Sequence, residues 1–197
     1  MQPLLRLELI LGSNRSPRLC DAVAAWAAAH VATQGGFEVS VLDPARLRLP
    51  DRLPTTPDPA TRALRRRIGA ADAYLVVVPE YNHGYPAPLK QLIDAASADW
   101  HARPVAFVSY GGFSGGLRAV EQLRQVFAAL HVVTMHDSVA IANAGARFDA
   151  DGRLREPEAL ESRLQAMLAQ LRWWALALRD ARRARPYGGS GDAGPQA

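Results

Sequence analysis

The sequence predicts one α/β domain: an open, doubly wound sheet of five parallel strands in the order 2-1-3-4-5, with helices on both faces. Three observations carry this. Short apolar runs alternate with amphipathic stretches of helical length along the 197 residues. The run Ala73 to Val78 is apolar and rich in β-branched residues, as a strand buried on both faces requires, and it breaks at Pro79, which lacks a backbone donor. Leu5–Leu11 and Val105–Val108 repeat the pattern, each ending in a loop of small polar residues before a helix. Right-handed crossovers then gather the loops after strands one, three and four at one edge of the sheet, around the switch point where such sheets hold ligands.

The elements follow in order. Leu5–Leu11 is the first strand. Pro17–Gln34 is the first helix, with Ser16 as its cap, Pro17 as its first residue, and Val23, Trp26, Ala27, His30 and Val31 as its buried stripe. Gly35-Gly36 ends it, and Phe37–Leu42 alternates as a second strand. Asp43–Pro59 is a long loop with Pro44, Pro50, Pro54, Pro57 and Pro59, open to two readings: a rigid surface connection or a lid beside the site. Pro59–Ala70 is a helix, Ala73–Val78 the central strand, and Pro88 to about Ser97 a third helix. Pro104 opens the fourth strand, and Leu117–Leu130 is an amphipathic helix. Val132–Met135 and Ser138–Ile141 make an interrupted fifth strand. Asn143–Pro157 is a polar loop, and Glu158–Arg183 a long last helix that Pro186 stops. Residues 1–185 thus form one domain, and the Gly/Ser/Pro-rich residues 186–197 are expected to be disordered.

Composition narrows the function. An apolar share of 49% is that of a folded chain, and one cysteine excludes an internal disulfide and fits a reducing compartment. Met1-Gln2-Pro3 has no basic run before the first strand, and no apolar stretch approaches a membrane span, so a cytoplasmic protein is expected. The net charge of +4 invites a nucleic-acid reading, but the clusters Arg62-Arg65-Arg66-Arg67 and Arg179-Arg182-Arg183-Arg185 read as solvated helix faces. His131 and His136 lack the partners of a metal site.

The loops carry the chemistry. Gly12-Ser13-Asn14-Arg15-Ser16 offers hydroxyls, and Arg15 and Arg18 offer guanidinium donors, ahead of a helix N-terminus. That set suits an isolated phosphate. Neither Gly-Lys-Ser/Thr nor Gly-x-Gly-x-x-Gly is present, so a P-loop and a dinucleotide fingerprint are both excluded. Ser109-Tyr110-Gly111-Gly112 lets a flat ligand approach the backbone closely. Pro79-Glu80-Tyr81-Asn82-His83-Gly84-Tyr85-Pro86 lies between them. A phosphate pocket beside a flat, polar-edged slot suggests flavin mononucleotide.

Gly12-Ser13-Asn14-Arg15, Pro79 to Pro86 with Leu89-Lys90, and Ser109 to Gly112 with Ser114 to Ala119 together resemble the NADPH-dependent FMN reductase family of flavodoxin-like proteins, over roughly Leu5 to Ile141. The resemblance implies FMN, a nicotinamide donor (NADPH or NADH), a quinone, azo, metal-oxyanion or flavin acceptor, and a homodimer or homotetramer. It also implies roles by position. Ser13, Arg15 and Arg18, helped by Ser16, would hold the phosphate. Pro79, Glu80, Tyr81 and Asn82 would border the isoalloxazine, mainly through backbone N–H groups. Ser109, Tyr110, Gly111 and Gly112 would hold its pyrimidine side. No acid–base side chain is named, because the flavin carries the chemistry. Two other readings remain: a non-enzymatic flavodoxin-type carrier, against which the positive charge argues, and an FMN-binding regulatory module. Five residues outside these sets stay open. Cys20 reads as core, His83 as a substrate contact or loop tie, and Trp100 as a pocket cover, a subunit contact or an anchor. Of Trp173 and Trp174, one is expected in the core and the other on a partner.

Overall fold

The structure, a computed structural model, describes residues 4–52 and 55–188. Five parallel partners build the sheet: β1 (Leu5–Leu11), β2 (Phe37–Leu42), β3 (Ala73–Pro79), β4 (Pro104–Tyr110) and an interrupted last position made of β5 (Val133–Thr134) and β6 (Val139–Ile141), both paired to β4. The order is β2-β1-β3-β4-β5, and the chain has the flavodoxin-like arrangement expected of it. The break between β5 and β6 is held by Arg124, whose guanidinium donates to the carbonyls of Met135 and His136.

Alternation along the central strands assigns side chains to two layers. Leu75 and Val77 of β3, with Ala106 and Val108 of β4, face α1 (Cys20–Gln34) and α6 (Glu158–Ala184), which follows the short α5 (Ala144–Arg147) in the chain. Tyr74, Val76 and Val78, with Val105 and Phe107, face α2 (Pro59–Ala70), α3 (Ala87–Asp94) and α4 (Leu117–Ala129). Every residue of β3 and β4 is buried, which is why both read as continuous apolar runs. Trp100 is central to the second layer, fully buried between Tyr74 and Phe127 with its indole N–H on the Ile93 carbonyl. It is a core residue, with no exposed surface.

Several expectations are corrected here. The first helix begins at Cys20, not Pro17; Ser16–Pro17 is a cis peptide bond and Ser16 caps nothing. The physical reason is Arg18, whose side chain is drawn to Asp43 and to the Ser13 carbonyl, so residues 13–18 stay a loop. In α1 the buried stripe includes Cys20 and Ala24, whereas Trp26 and His30 are half-buried, His30 pairing with Glu161 on α6. The third helix stops at Asp94, and Ala98–Trp100 forms a separate short turn. Trp173 and Trp174 are both exposed, at 63% and 38%, and pack edge-to-face on each other. The arginines of α2 are largely struts: Arg65 pairs with Asp99 and Arg67 with Glu8.

The described part of the proline-rich connection is tied to the body of the domain at several points. Asp43 caps the turn Pro44–Arg46, Leu47 and Leu49 pack on the second layer, and Gln91 of α3 donates to the Pro50 carbonyl. Pro54 lies outside the described residues, as do Met1–Pro3 and 189–197 of the tail. Pro186–Gly188 are placed: the Tyr187 hydroxyl is 2.9 Å from His131 Nδ1.

Candidate active site

The loops after β1, β3 and β4 meet at the carboxyl edge of the sheet around a cleft of about 460 Å³, within the ordinary range of small-molecule sites. Arg15, Pro79, Glu80, Tyr81, Tyr110, Gly111 and Gly112 line it. A wall absent from the expectations, Asn143–Ala146, closes the far side with Leu19. It is anchored by Asn143 N–H on the Gly112 carbonyl (2.8 Å) and Ala144 N–H on the Gly111 carbonyl (2.9 Å). The run Asn-Ala-Gly-Ala after the last strand was its trace in the sequence, a set of small residues too ordinary to single out.

The first loop leaves β1 pressed against β3. Gly12 donates to the Val77 carbonyl at 2.7 Å, and a Cβ at Gly12 would stand 2.9 Å from that oxygen, so only glycine fits. Ser13 is fully buried; its hydroxyl lies 2.7 Å from the Tyr81 hydroxyl and accepts from the Arg15 N–H at 3.3 Å. The Arg15 guanidinium sits 3.8 Å above the Tyr81 ring. Among the described residues no carboxylate neutralises it. Ser16 is exposed and outside the cleft lining. Arg18, expected to hold a phosphate, is outside the cleft lining and donates to both Asp43 oxygens (2.8 and 2.6 Å), to Asp21 and to the Ser13 carbonyl. That pairing holds the Asp43 carboxyl below its usual range.

The second loop is a two-residue turn. Tyr81 and Gly84 exchange both backbone hydrogen bonds, at 2.9 and 3.0 Å, and Asn82 and His83 take left-handed conformations (φ 50° and 68°). Two backbone donors expected to face a flavin are therefore already used, Glu80 N–H on the Tyr110 carbonyl and Tyr81 N–H on Gly84. Asn82, exposed in this turn, is outside the cleft lining. The Glu80 side chain is a strut as well, accepting from Ser114 Oγ (2.9 Å), from the Arg118 backbone (3.1 Å) and from the Arg118 guanidinium. Burial alone would raise its carboxyl pKa; those donors outweigh burial and lower it. His83 has an exposed side chain and offers its carbonyl to Gln122.

The third loop presents glycines. Gly112 has open space where a Cβ would be, and its N–H has no partner among the described residues. Ser109 is buried and its hydroxyl donates to the Gly115 carbonyl, so it shapes the loop instead of reaching the cleft. Tyr110 is 94% buried by its packing in the first layer, beside Cys20, and shows the cleft only an edge. Burial first, and Cys20 second, raise its phenol pKa. Among the described residues no cluster of three metal-ligating side chains occurs.

The profile of the NADPH-dependent FMN reductases matches residues 5–146, the span that contains all three loops and the fourth wall. The chain belongs to that family. Across 189 residues it is 33% identical to a probable NADPH:quinone oxidoreductase of rice, covering 90% of this chain and 95% of the relative. It is 31% identical to the Saccharomyces cerevisiae NAD(P)H-dependent FMN reductase LOT6, over 64% of this chain and 75% of that one. With the Schizosaccharomyces pombe reductase and a second rice oxidoreductase the match spans less of the relatives, 64% and 62%. The fold is also that of the Paracoccus denitrificans flavoenzyme FerB, with a TM-score of 0.70 at 22% identity, covering 88% of this chain and 98% of the other.

The family's cofactors, FMN and NADPH, can be tested against the cleft. An uncompensated guanidinium at Arg15 and a glycine backbone at Gly112 with no side chain in the way are what a phosphate and a flat polar ring require. The residues present fit FMN.

Proposed function

We propose that the chain is an NAD(P)H-dependent oxidoreductase that holds FMN in this cleft and passes reducing equivalents to a small acceptor of the quinone, flavin, azo or metal-oxyanion class. The observation that carries the reading is the cleft edge on which Arg15, Tyr81 and the Gly111–Gly112 backbone converge. Bound FMN supplies the hydride-accepting chemistry. The chain's residues bind and orient. Arg15 supplies charge for the phosphate, with Ser13 and Ser16 in the loop that carries it, while Arg18 braces that loop through Asp43. Pro79, Tyr81 and Asn82 border one side of the ring system. Tyr110, Gly111 and Gly112 border the other, with Ser109 holding their loop and Glu80 clamping it to α4. No side chain is assigned acid–base work.

The quinone class is favoured among acceptors because the rice relative that aligns nearly end to end bears that name. A homodimer or homotetramer fits Phe113, 93% exposed beside the cleft, and Leu117, 48% exposed on α4. A cytoplasmic setting fits the lone, buried, free Cys20. No helix among the described residues is long and apolar enough to cross a membrane.

The test is a visible spectrum of the purified protein, followed by anaerobic NADPH and then NADH. Flavin bands that bleach with one donor are expected. A colourless protein that neither takes up FMN nor consumes either nucleotide would overturn the reading. Arg15→Ala is expected to weaken FMN binding about 10- to 100-fold, the worth of a charge-assisted contact, with the far-UV spectrum unchanged.

A further inference from the structure

Tyr81 joins two loops that are 68 residues apart in the chain. Its backbone is locked: the reciprocal hydrogen bonds with Gly84 close the turn, and Gln122 of α4 holds the turn's outer carbonyl at 3.0 Å. The side chain therefore leaves in a fixed direction, and both of its ends are used in the first loop. Its hydroxyl meets Ser13 Oγ at 2.7 Å, in a residue with no solvent exposure. Its ring lies under the Arg15 guanidinium at 3.8 Å. Arg15 is an exposed residue on a flexible stem, so a ring beneath it is what limits the places its charge can occupy. Ser13 in turn accepts from the Arg15 backbone N–H.

We infer that Tyr81 is a positioning residue for the phosphate loop, fixing Ser13 with its hydroxyl and Arg15 with its ring, and that it sets affinity for the phosphate end of FMN and not for the ring system it borders. The inference rests on the FMN reading above. It differs from a simple stacking role, in which Tyr81 would affect any flavin equally.

Riboflavin, which lacks the phosphate, separates the two. Affinities of the flavin-free protein for FMN and riboflavin are read from quenching of flavin fluorescence. Tyr81→Phe keeps the ring and removes the hydroxyl; it is expected to weaken FMN about fivefold and leave riboflavin within about twofold. Tyr81→Leu removes both contacts, and the FMN loss is expected to grow to about 10- to 30-fold. Ser13→Ala, which also removes the acceptor of the Arg15 N–H, should lose at least as much as Tyr81→Phe, and the double variant should be no worse than Ser13→Ala, because the Tyr81 hydroxyl acts through Ser13. This arm stands even if Tyr81→Leu does not fold. Equal losses for the two flavins, unchanged FMN affinity in Tyr81→Phe, or multiplying losses in the double variant would overturn the inference alone. A wild-type protein that does not prefer FMN to riboflavin would overturn the FMN reading, and this with it.

Discussion

Arg18 and Asp43 meet fork to fork beneath the first loop, with side chains only 11% and 7% exposed. Removing one partner of a largely buried pair strands the other charge. Arg18→Met is therefore expected to cost about 2–4 kcal/mol, and Arg18→Met with Asp43→Leu to recover only part of it, because Asp43 also caps the turn Pro44–Arg46; urea unfolding measures both. The pair also carries a pH signature. Its carboxyl titrates below the unfolded value near 4, so its stabilisation is complete above that pH and fades as pH falls through the lower folded value. Asp43→Asn should remove that part of the acid slope from unfolding free energy against pH. Arg18 shows what a local reading misses. Its residue type and place before a helix spelled out a phosphate ligand, while the partner that claims it stands 25 positions away at the end of β2.

At the level of elements, the turn from Tyr81 to Gly84 places two side-chain-bearing residues in a conformation that favours glycine. Asn82 tolerates it; His83 does so at a cost of about 1–2 kcal/mol. His83→Gly is expected to stabilise the protein by about 0.5–1 kcal/mol once the glycine's greater freedom in the unfolded chain is subtracted, and His83→Val to destabilise it, by thermal melts. This turn also marks the limit of legibility. Strands β1, β3 and β4 were readable almost to the residue because each is a largely apolar run ended by proline or glycine, and the loops that follow them were readable as a ligand edge. What those loops do with their polar groups was not, since Glu80 and Ser109 are spent on Arg118, Ser114 and Gly115, contacts created only by folding. The Asn143–Ala146 wall was hidden for the same reason: it belongs to the site through backbone hydrogen bonds to Gly111 and Gly112, which leave no mark on residue type.

On the scale of the whole molecule, the two ends of the sheet differ in chemistry. The carboxyl edge holds the cleft. The opposite edge holds stacked His101 and His131, 4.8 Å apart, with Tyr187 edge-on to both. Burial first, then His131 and Arg103, lower the His101 pKa, with Asp99 opposing. A lowered folded pKa means the unfolded chain takes up the proton first. Stability is therefore full above about pH 6.5 and declines below it. Thermal midpoints measured from pH 7.5 to 5.5 should fall in the wild type and fall less in His101→Gln.

That polarity has a practical side. Pro104 stands at one end of β4 and Tyr110 at the other, seven residues that rise about 3.3 Å each, so roughly 20 Å of sheet separates Tyr187 from the cleft. A surface, a carrier domain or a purification handle joined directly at Gly188 would grip the molecule by its far end. Immobilised that way, the protein would turn its open mouth toward the solution, and acceptors too bulky to pass between a support and a buried cleft would still reach it.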